Sequence, residues 1–576
     1  MKKLFLVQFL VIFCVDVIAQ ITPFERDPNK NTTATYAEAI AYYQQLDKTY
    51  DQLKLITCGP TDSGKPLHLA VLSKNKVFDP TLLRQQNKRI ILINNGIHPG
   101  EPEGIDASMM LVRDLLKNNA IPDNVILCFI PIYNIDGSLN RSSTSRANQN
   151  GPQAYGFRGN SRNLDLNRDF IKTDSKNSRS FQEIFNTWKP DIFIDNHTSN
   201  GADYQYVMTL IETQADKLSP VLSKFMTEQL TPSLFSQMKA KGWDMTPYVD
   251  HVGETPDLGI EAFLETPRFS TGYTTLHQTI GYVPETHMLK SFEQRVKATY
   301  ALMECFIDFS KKHSDQLAEV RKQALNQAKV QKEFALNWKL DETKVDSFYF
   351  KGFEAGRKPS EISGQPRLFY DRTKPFQKNI PWFKHFKPTL TVQAPLAYVI
   401  PQAWQEVIDL LLLNGVQLER LKKDTLMNLE MYYITDYKSP AKPYEGHYLH
   451  TQVTVKAVKQ AVQFHEGDYL VRVNQTQNRY IVETLEPQGV DSFFAWNFFD
   501  SVLGQKEYFS NYVFEDTGAE ILKKNPELRK QLDEEKTKNE QLNKSGAAQL
   551  DWVYRHSDYL EKTFMRYPIG RLVMSN

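Results

Sequence analysis

Residues Ile90 to Leu116 constrain the fold more than any other stretch. The apolar run Ile90-Ile-Leu-Ile93 has the length and β-branched content of a buried strand. It stops at Asn94-Asn-Gly96, and Pro99 and Gly100 then punctuate a tight turn. From Gly104 onward the apolar spacing through Ile105, Met109, Val112, Leu115 and Leu116 is helical. His98 and Glu101 stand between strand and helix, at a strand's carboxyl end, where open α/β sheets place their ligands. An imidazole and a carboxylate this close supply two of the three protein ligands that a catalytic zinc requires. The same pattern also fits a solvated turn whose carboxylate favours a helix start. A third ligand on another strand decides between the two.

At the amino terminus Met1-Lys-Lys is basic, Leu4 to Val15 is almost continuously apolar, and Val17-Ile-Ala19 puts a small residue before Gln20. This is the pattern of a secretory signal peptide over residues 1–19, too short for a membrane span. It predicts an exported protein, periplasmic or extracellular, and no later segment has a charge-free run of spanning length. Cys58, Cys128 and Cys305 lie in apolar surroundings and read as buried thiols. No Cys-x-x-Cys occurs, so a metal site must use histidine and carboxylate. Lys+Arg 69 against Asp+Glu 68 speaks against a nucleic-acid partner or an anionic membrane surface.

Elsewhere in this half, Thr35 offers an N-cap to a helix through Leu46. Leu53 to Cys58 and Lys65 to Ser73 alternate like paired strands, and Asn124 to Ile132 is another buried strand. Phe181 to Trp188 reads as a helix, Asp191 to Asp195 as a short strand, and Asp216 to Lys241 as a long helical region. Strands alternating with helices predict a mostly parallel mixed sheet with helices on both faces.

Asp191-Ile-Phe-Ile-Asp195-Asn-His197 repeats the geometry of the opening stretch and puts a second histidine at a strand's carboxyl end, where Asp195 or a backbone carbonyl can orient it. Between the two lies Asp165-Leu-Asn167-Arg168-Asp169-Phe170. A guanidinium grips a carboxylate through two parallel hydrogen bonds, and an amide adds a third. Together His98-Pro-Gly-Glu101, Asn134-Ile-Asp-Gly137, Asp165-Leu-Asn-Arg168 and His197 stand in an order that resembles the zinc carboxypeptidase family of the carboxypeptidase A type, over about residues 30 to 310.

The resemblance implies that His98, Glu101 and His197 hold one Zn²⁺ per chain, and that Asn167 and Arg168 grip the free carboxylate of a peptide substrate. It implies a glutamate base on a late strand before a closing helix, for which Glu285 is chosen over Glu261 and Glu265. It gives Tyr273 as a substrate-contacting tyrosine, with packing on the sheet the competing reading. Arg146, with Arg158 close behind, is the arginine facing the oxyanion. Three departures stand out. Ile135 replaces the family's proline, Asp169 adds a negative charge beside the clamp, and the spacing from Arg146 to Asn167 is longer than usual. Two other readings stay open: a related zinc amide hydrolase acting on peptidoglycan-derived or modified peptides, and an inactive binding protein with the same fold.

The expected division is a catalytic domain over 20–315, a helical linker over 316–345, a β-rich domain over 346–490 and an aromatic and helical segment over 491–576. Leu317 to Trp338 reads as a bridging helix. Phe348 to Phe353, Thr389 to Val392, Leu396 to Ile400 and Thr451 to Val458 read as strands, and Gln402 to Asn414 as a helix. Asp468 to Asn474 and Arg479 to Thr484 look like a strand pair. The aromatic run Phe493-Phe-Ala-Trp-Asn-Phe-Phe is expected to pack between units. Pro526 to Asn543 reads as a charged helix capped by Asn525. Nothing in this half indicates what it binds, and nothing in the chain fixes the oligomeric state.

Overall fold

The computed structural model describes residues 20–574; the signal-peptide expectation for residues 1–19 lies outside them. Strands β1 (Leu53–Pro60), β2 (Pro66–Leu72), β3 (Arg89–Asn94), β4 (Val125–Ile130), β5 (Ile192–Asp195), β6 (His197–Ser199), β7 (Met208–Glu212) and β8 (Met245–Pro247) join a closing strand, Ile280–His287, in one sheet. Its order is β1-β2-β4-β3-β5-closing strand-β7-β8, with β6 continuing along the closing strand. β3 runs parallel to both β4 and β5, and the closing strand runs parallel to β5 and β6. The antiparallel pairs are β1/β2, β2/β4 and β7 with the closing strand.

β3 and β4 are buried at every position, which is why they read as unbroken apolar runs. Alternate residues feed two cores. Ile90, Leu92, Ile126, Cys128 and Phe193 pack on one face against helix Lys176–Trp188. Ile91, Ile93, Leu127 and Ile194 pack on the other against helices Glu103–Lys117 and Phe292–Lys312. The helix after Thr35 is closed by a full capping box with Glu38.

Several elements depart from the sequence reading. The long helical region begins at Pro220, after a 3₁₀ turn at Ala215–Lys217, and runs unbroken to Ala240 with a π-helical turn at Met226–Leu230. The bridging helix stops at Val330, and Glu333–Leu340 is a strand paired antiparallel with Phe386–Gln393. Arg479 to Thr484 belongs to helix Asn478–Leu485, whose eight residues are all buried; burial on every side removes the periodicity that separates helix from strand. The strand Pro366–Phe383, paired with Asp346–Pro359, escaped notice because prolines demote a run. A six-stranded sheet contains Ala397–Ile400, Thr425–Lys438, Thr451–Phe464, Tyr469–Arg472 and Gly570–Leu572. Four helices from Asn511 to Arg555 gather around Phe514, Leu532, Leu550 and Tyr554.

The carboxyl-terminal half shares a core with the first sheet. Phe493, Phe494, Trp496 and Phe499 are fully buried in the same cluster as Phe181, Phe193 and Tyr273. Asp491 accepts from Arg268 Nε at 2.7 Å, adding an ion pair to the apolar contact. Among the described residues no helix is long and apolar enough to cross a membrane.

Candidate active site

The loop after β3 and the start of helix Glu103–Lys117 bring His98 and Glu101 to the sheet's edge, and β6 brings His197. The first turn of the helix admits only glycine at position 104: a Cβ there would lie 2.4 Å from Asn95 Oδ1 and 2.6 Å from Asn196 Cβ. Asn196 Nδ2 donates to Asn95 Oδ1 at 2.8 Å, and Asn94 Nδ2 to Asp195 Oδ1 at 2.9 Å, so side chains sew the two strand ends together. Glu103 anchors both neighbours, accepting from Thr198 Oγ1 at 2.7 Å and from the fully buried Arg295 Nε at 2.5 Å.

His98, Glu101 and His197 are all buried, with one donor atom from each within 4.8 Å of the others. His98 Nδ1 lies 3.3 Å from Glu101 Oε1, and His197 Nδ1 lies 3.1 Å from Glu101 Oε2. The opposite nitrogens face carboxylates: His98 Nε2 meets Asp165 Oδ1 at 2.9 Å and His197 Nε2 meets Asp195 Oδ2 at 3.1 Å. The Asp165 carboxylate hydrogen-bonded behind His98 fixes its ring orientation and raises ligand basicity, whereas the His197 Nε2 contact with Asp195 is an ion-pair distance without a hydrogen bond. His98 Nδ1 has no hydrogen-bond partner. Two inward nitrogens and a carboxylate, with one nitrogen buried and unpartnered, are a donor set that fits a zinc ion.

A cavity of about 470 Å³ opens over these three residues and is also lined by Arg146, Arg158, Asn167, Arg168, Glu265 and Glu285. Glu285 is opposite His197 in the strand register, and its Oε2 has no partner. Burial pushes its carboxyl up to about 8, against the pull of the neighbouring His197. Glu265 also borders the cavity, but its Oε2 is taken by the Thr271 backbone N–H at 2.8 Å and by the Thr271 hydroxyl. Glu265 is buried, and burial raises its carboxyl. Glu261 sits away from the cavity on the short strand Ile260–Glu261.

Arg146 Nη1 donates to Glu101 Oε1 at 2.7 Å, while Arg158 is more exposed, pairing with Asp165 at 2.9 Å and lying 3.5 Å from Glu101. Asn134 holds the loops behind them: its Nδ2 donates to Ile97 O at 3.2 Å and Arg158 O at 2.9 Å. Ile135, where the family has proline, is buried in the core. Arg168 stacks over Phe269, 4.3 Å from the ring centroid, and Asn167 Oδ1 accepts from Ser270 N at 3.3 Å.

Two expectations need correcting. Tyr273 does not reach the cavity: it is fully buried, its hydroxyl donating to Asn414 Oδ1 at 2.7 Å and accepting from Asn186 Nδ2 at 3.1 Å. It sits on helix Ser270–Leu276, which packs its side chains into the core. Tyr248, on the segment after β8, lines the cavity instead. Asp169 adds no negative charge to the clamp, because it is buried and accepts from Lys172 Nζ at 2.9 Å, Asp174 N at 2.9 Å and Ser175 Oγ at 2.6 Å. The sequence reading also assigned no role to Asp165, although it stood within a quoted motif.

Residues 39–240 match the model of a family described as zinc carboxypeptidase. Among curated relatives, carboxypeptidase 2 of Trichophyton rubrum is 23% identical over 444 residues, 73% of this chain and 75% of that protein. A probable carboxypeptidase 2 of Trichophyton verrucosum is 22% identical over 72% of this chain and 77% of its own. Among solved structures, a metallo-carboxypeptidase from Burkholderia cenocepacia aligns at 15% identity over 49% of this chain and 70% of that one, with a TM-score of 0.36. One from Pseudomonas aeruginosa aligns at 12% identity over 50% and 70%, with a TM-score of 0.37.

Proposed function

We propose, from the match of residues 39–240 to the zinc carboxypeptidase model, that the protein releases single residues from the carboxyl ends of peptides, with His98, Glu101 and His197 holding the metal. Bound there, zinc polarises a carbonyl oxygen and lowers the pKa of water towards about 7. Glu285, on the rim of the same cavity, accepts the attacking water's proton and returns it to the leaving amine. Arg146, fixed against Glu101, and Arg158 beside it offer N–H donors to charge developing on the carbonyl oxygen. Asn167 and Arg168 bind the substrate's terminal carboxylate and so place the last peptide bond at the base. Export follows the signal-peptide pattern of residues 1–19.

The observation that carries this reading is that Arg168 borders the same cavity as the three metal-ligand candidates and Glu285. A cationic clamp at that place selects chain ends. The test is a matched pair of peptides, one a free acid and one a carboxyl-terminal amide. Release from the free acid alone supports the reading. Equal cleavage of both rules out a carboxylate clamp and favours a general amide hydrolase.

A further inference from the structure

The carboxyl-terminal half sends one turn against Asp165 and the cavity-lining Arg168. Tyr444 and His447 exchange backbone hydrogen bonds, N to O at 2.7 Å and 3.0 Å, around Glu445 and Gly446. Both central residues are left-handed, with φ of 51° and 84°. Glycine adopts that conformation freely, whereas a glutamate holds it only when its surroundings compensate. Here they do: Glu445 Oε2 accepts from Asp165 N at 2.8 Å. On either side, Tyr444 Oη accepts from Arg168 Nε at 3.0 Å and His447 Nε2 meets Asp174 Oδ2 at 2.8 Å. The Tyr444 ring stacks on Trp496, which is fully buried, with centroids 6.2 Å apart.

The turn thus grips residues that the site uses. Asp165 orients His98. Arg168 is held on three sides: its plane rests on Phe269, Nη1 donates to Asn167 O at 2.8 Å, and Nε donates to Tyr444. Among the described residues its Nη2 has no hydrogen-bond partner. A guanidinium on a flexible stem loses rotamer freedom when it binds, and fixing it beforehand lowers that cost.

We propose that the Tyr444–His447 turn backs the substrate pocket from behind its lining, with Tyr444 a positioning residue that aims Arg168 at the peptide's carboxylate. This rests on the reading of Arg168 as that clamp. The carboxyl-terminal half is then part of the enzyme's recognition machinery, supplying an element that residues 39–240 lack.

The test compares wild type, Tyr444→Phe, Arg168→Gln and the double variant on a free-acid peptide and its amide, with thermal unfolding of each. Phenylalanine keeps the ring stack on Trp496 and removes only the acceptor. The expected result is a rise of about tenfold in KM for the free acid, the size of one lost hydrogen bond to a charged group. The expected change in kcat is under about twofold, with the amide unaffected. If Tyr444 acts through Arg168, the double variant is no worse than Arg168→Gln alone. An unchanged KM, an equal loss on both peptides, or additive losses in the double variant would overturn the proposal. A wild type indifferent to the free carboxylate would overturn the clamp itself, and that arm needs no variant.

Discussion

Glu285 lies directly opposite His197 where the closing strand runs parallel to β6. Backbone pairing therefore sets the separation between the proposed base and a metal-ligand candidate, and neither can shift without the other. Glu285→Gln preserves shape and removes the proton acceptor. Turnover is expected to fall by about 10²- to 10⁴-fold, the range of a general-base contribution, with zinc content unchanged. Steady-state kinetics with metal analysis checks this. Full turnover in the variant would move the base to Glu265, which borders the same cavity, or to Glu261.

Arg168→Gln tests the clamp. Loss of charge-assisted hydrogen bonds to a carboxylate costs roughly 1.5–3 kcal/mol, so KM for a free-acid peptide should rise roughly 10- to 100-fold. Hydrolysis of the amide should change little. Arg168→Lys should restore part of the loss, since it keeps the charge but not the planar fork.

Tyr273→Phe separates packing from substrate contact. The variant loses the hydrogen bonds to Asn414 and Asn186 and leaves buried polar partners unsatisfied. Urea unfolding should show a loss of about 1–3 kcal/mol, with KM unchanged. A changed KM with unchanged stability would return Tyr273 to the pocket.

Asp106 gives a pH signature. It accepts from the Thr33 hydroxyl and from Ala34 N at 3.2 Å, yet burial pushes its carboxyl up from 3.8 to about 7. The folded state thus binds the proton more tightly than the unfolded chain. The contribution is intact below about pH 4 and is lost as pH rises through about 7. Asp106→Asn should flatten the stability profile across that window, by an amount on the order of a few kcal/mol. Denaturant melts at pH 4 and pH 8 measure it; an unaltered slope would contradict the assignment.

The catalytic half was legible because its signals are local. β3 and β4 read as apolar runs, and each strand end carries its polar residue within a few positions, as with His98, Glu101 and His197. What was missed depends on how the folded chain packs. Tyr273 and Tyr248 are both tyrosines near late strands, and only packing places one in the core and the other on the cavity. The charge of Asp169 is neutralised by Lys172, three residues on, through a fold of the loop that spacing does not reveal. Tyr444 meets Arg168 across 276 positions, a separation at which no periodicity or motif operates.

The most direct test of the whole account is the zinc content of the purified protein, measured with the release of residues from a mixed peptide library before and after chelation. The account predicts about one zinc per chain, the stoichiometry of a site with three protein ligands, and release of single carboxyl-terminal residues that stops on chelation and returns with zinc. A protein without zinc, or one whose release of terminal residues survives removal of the metal, would contradict it.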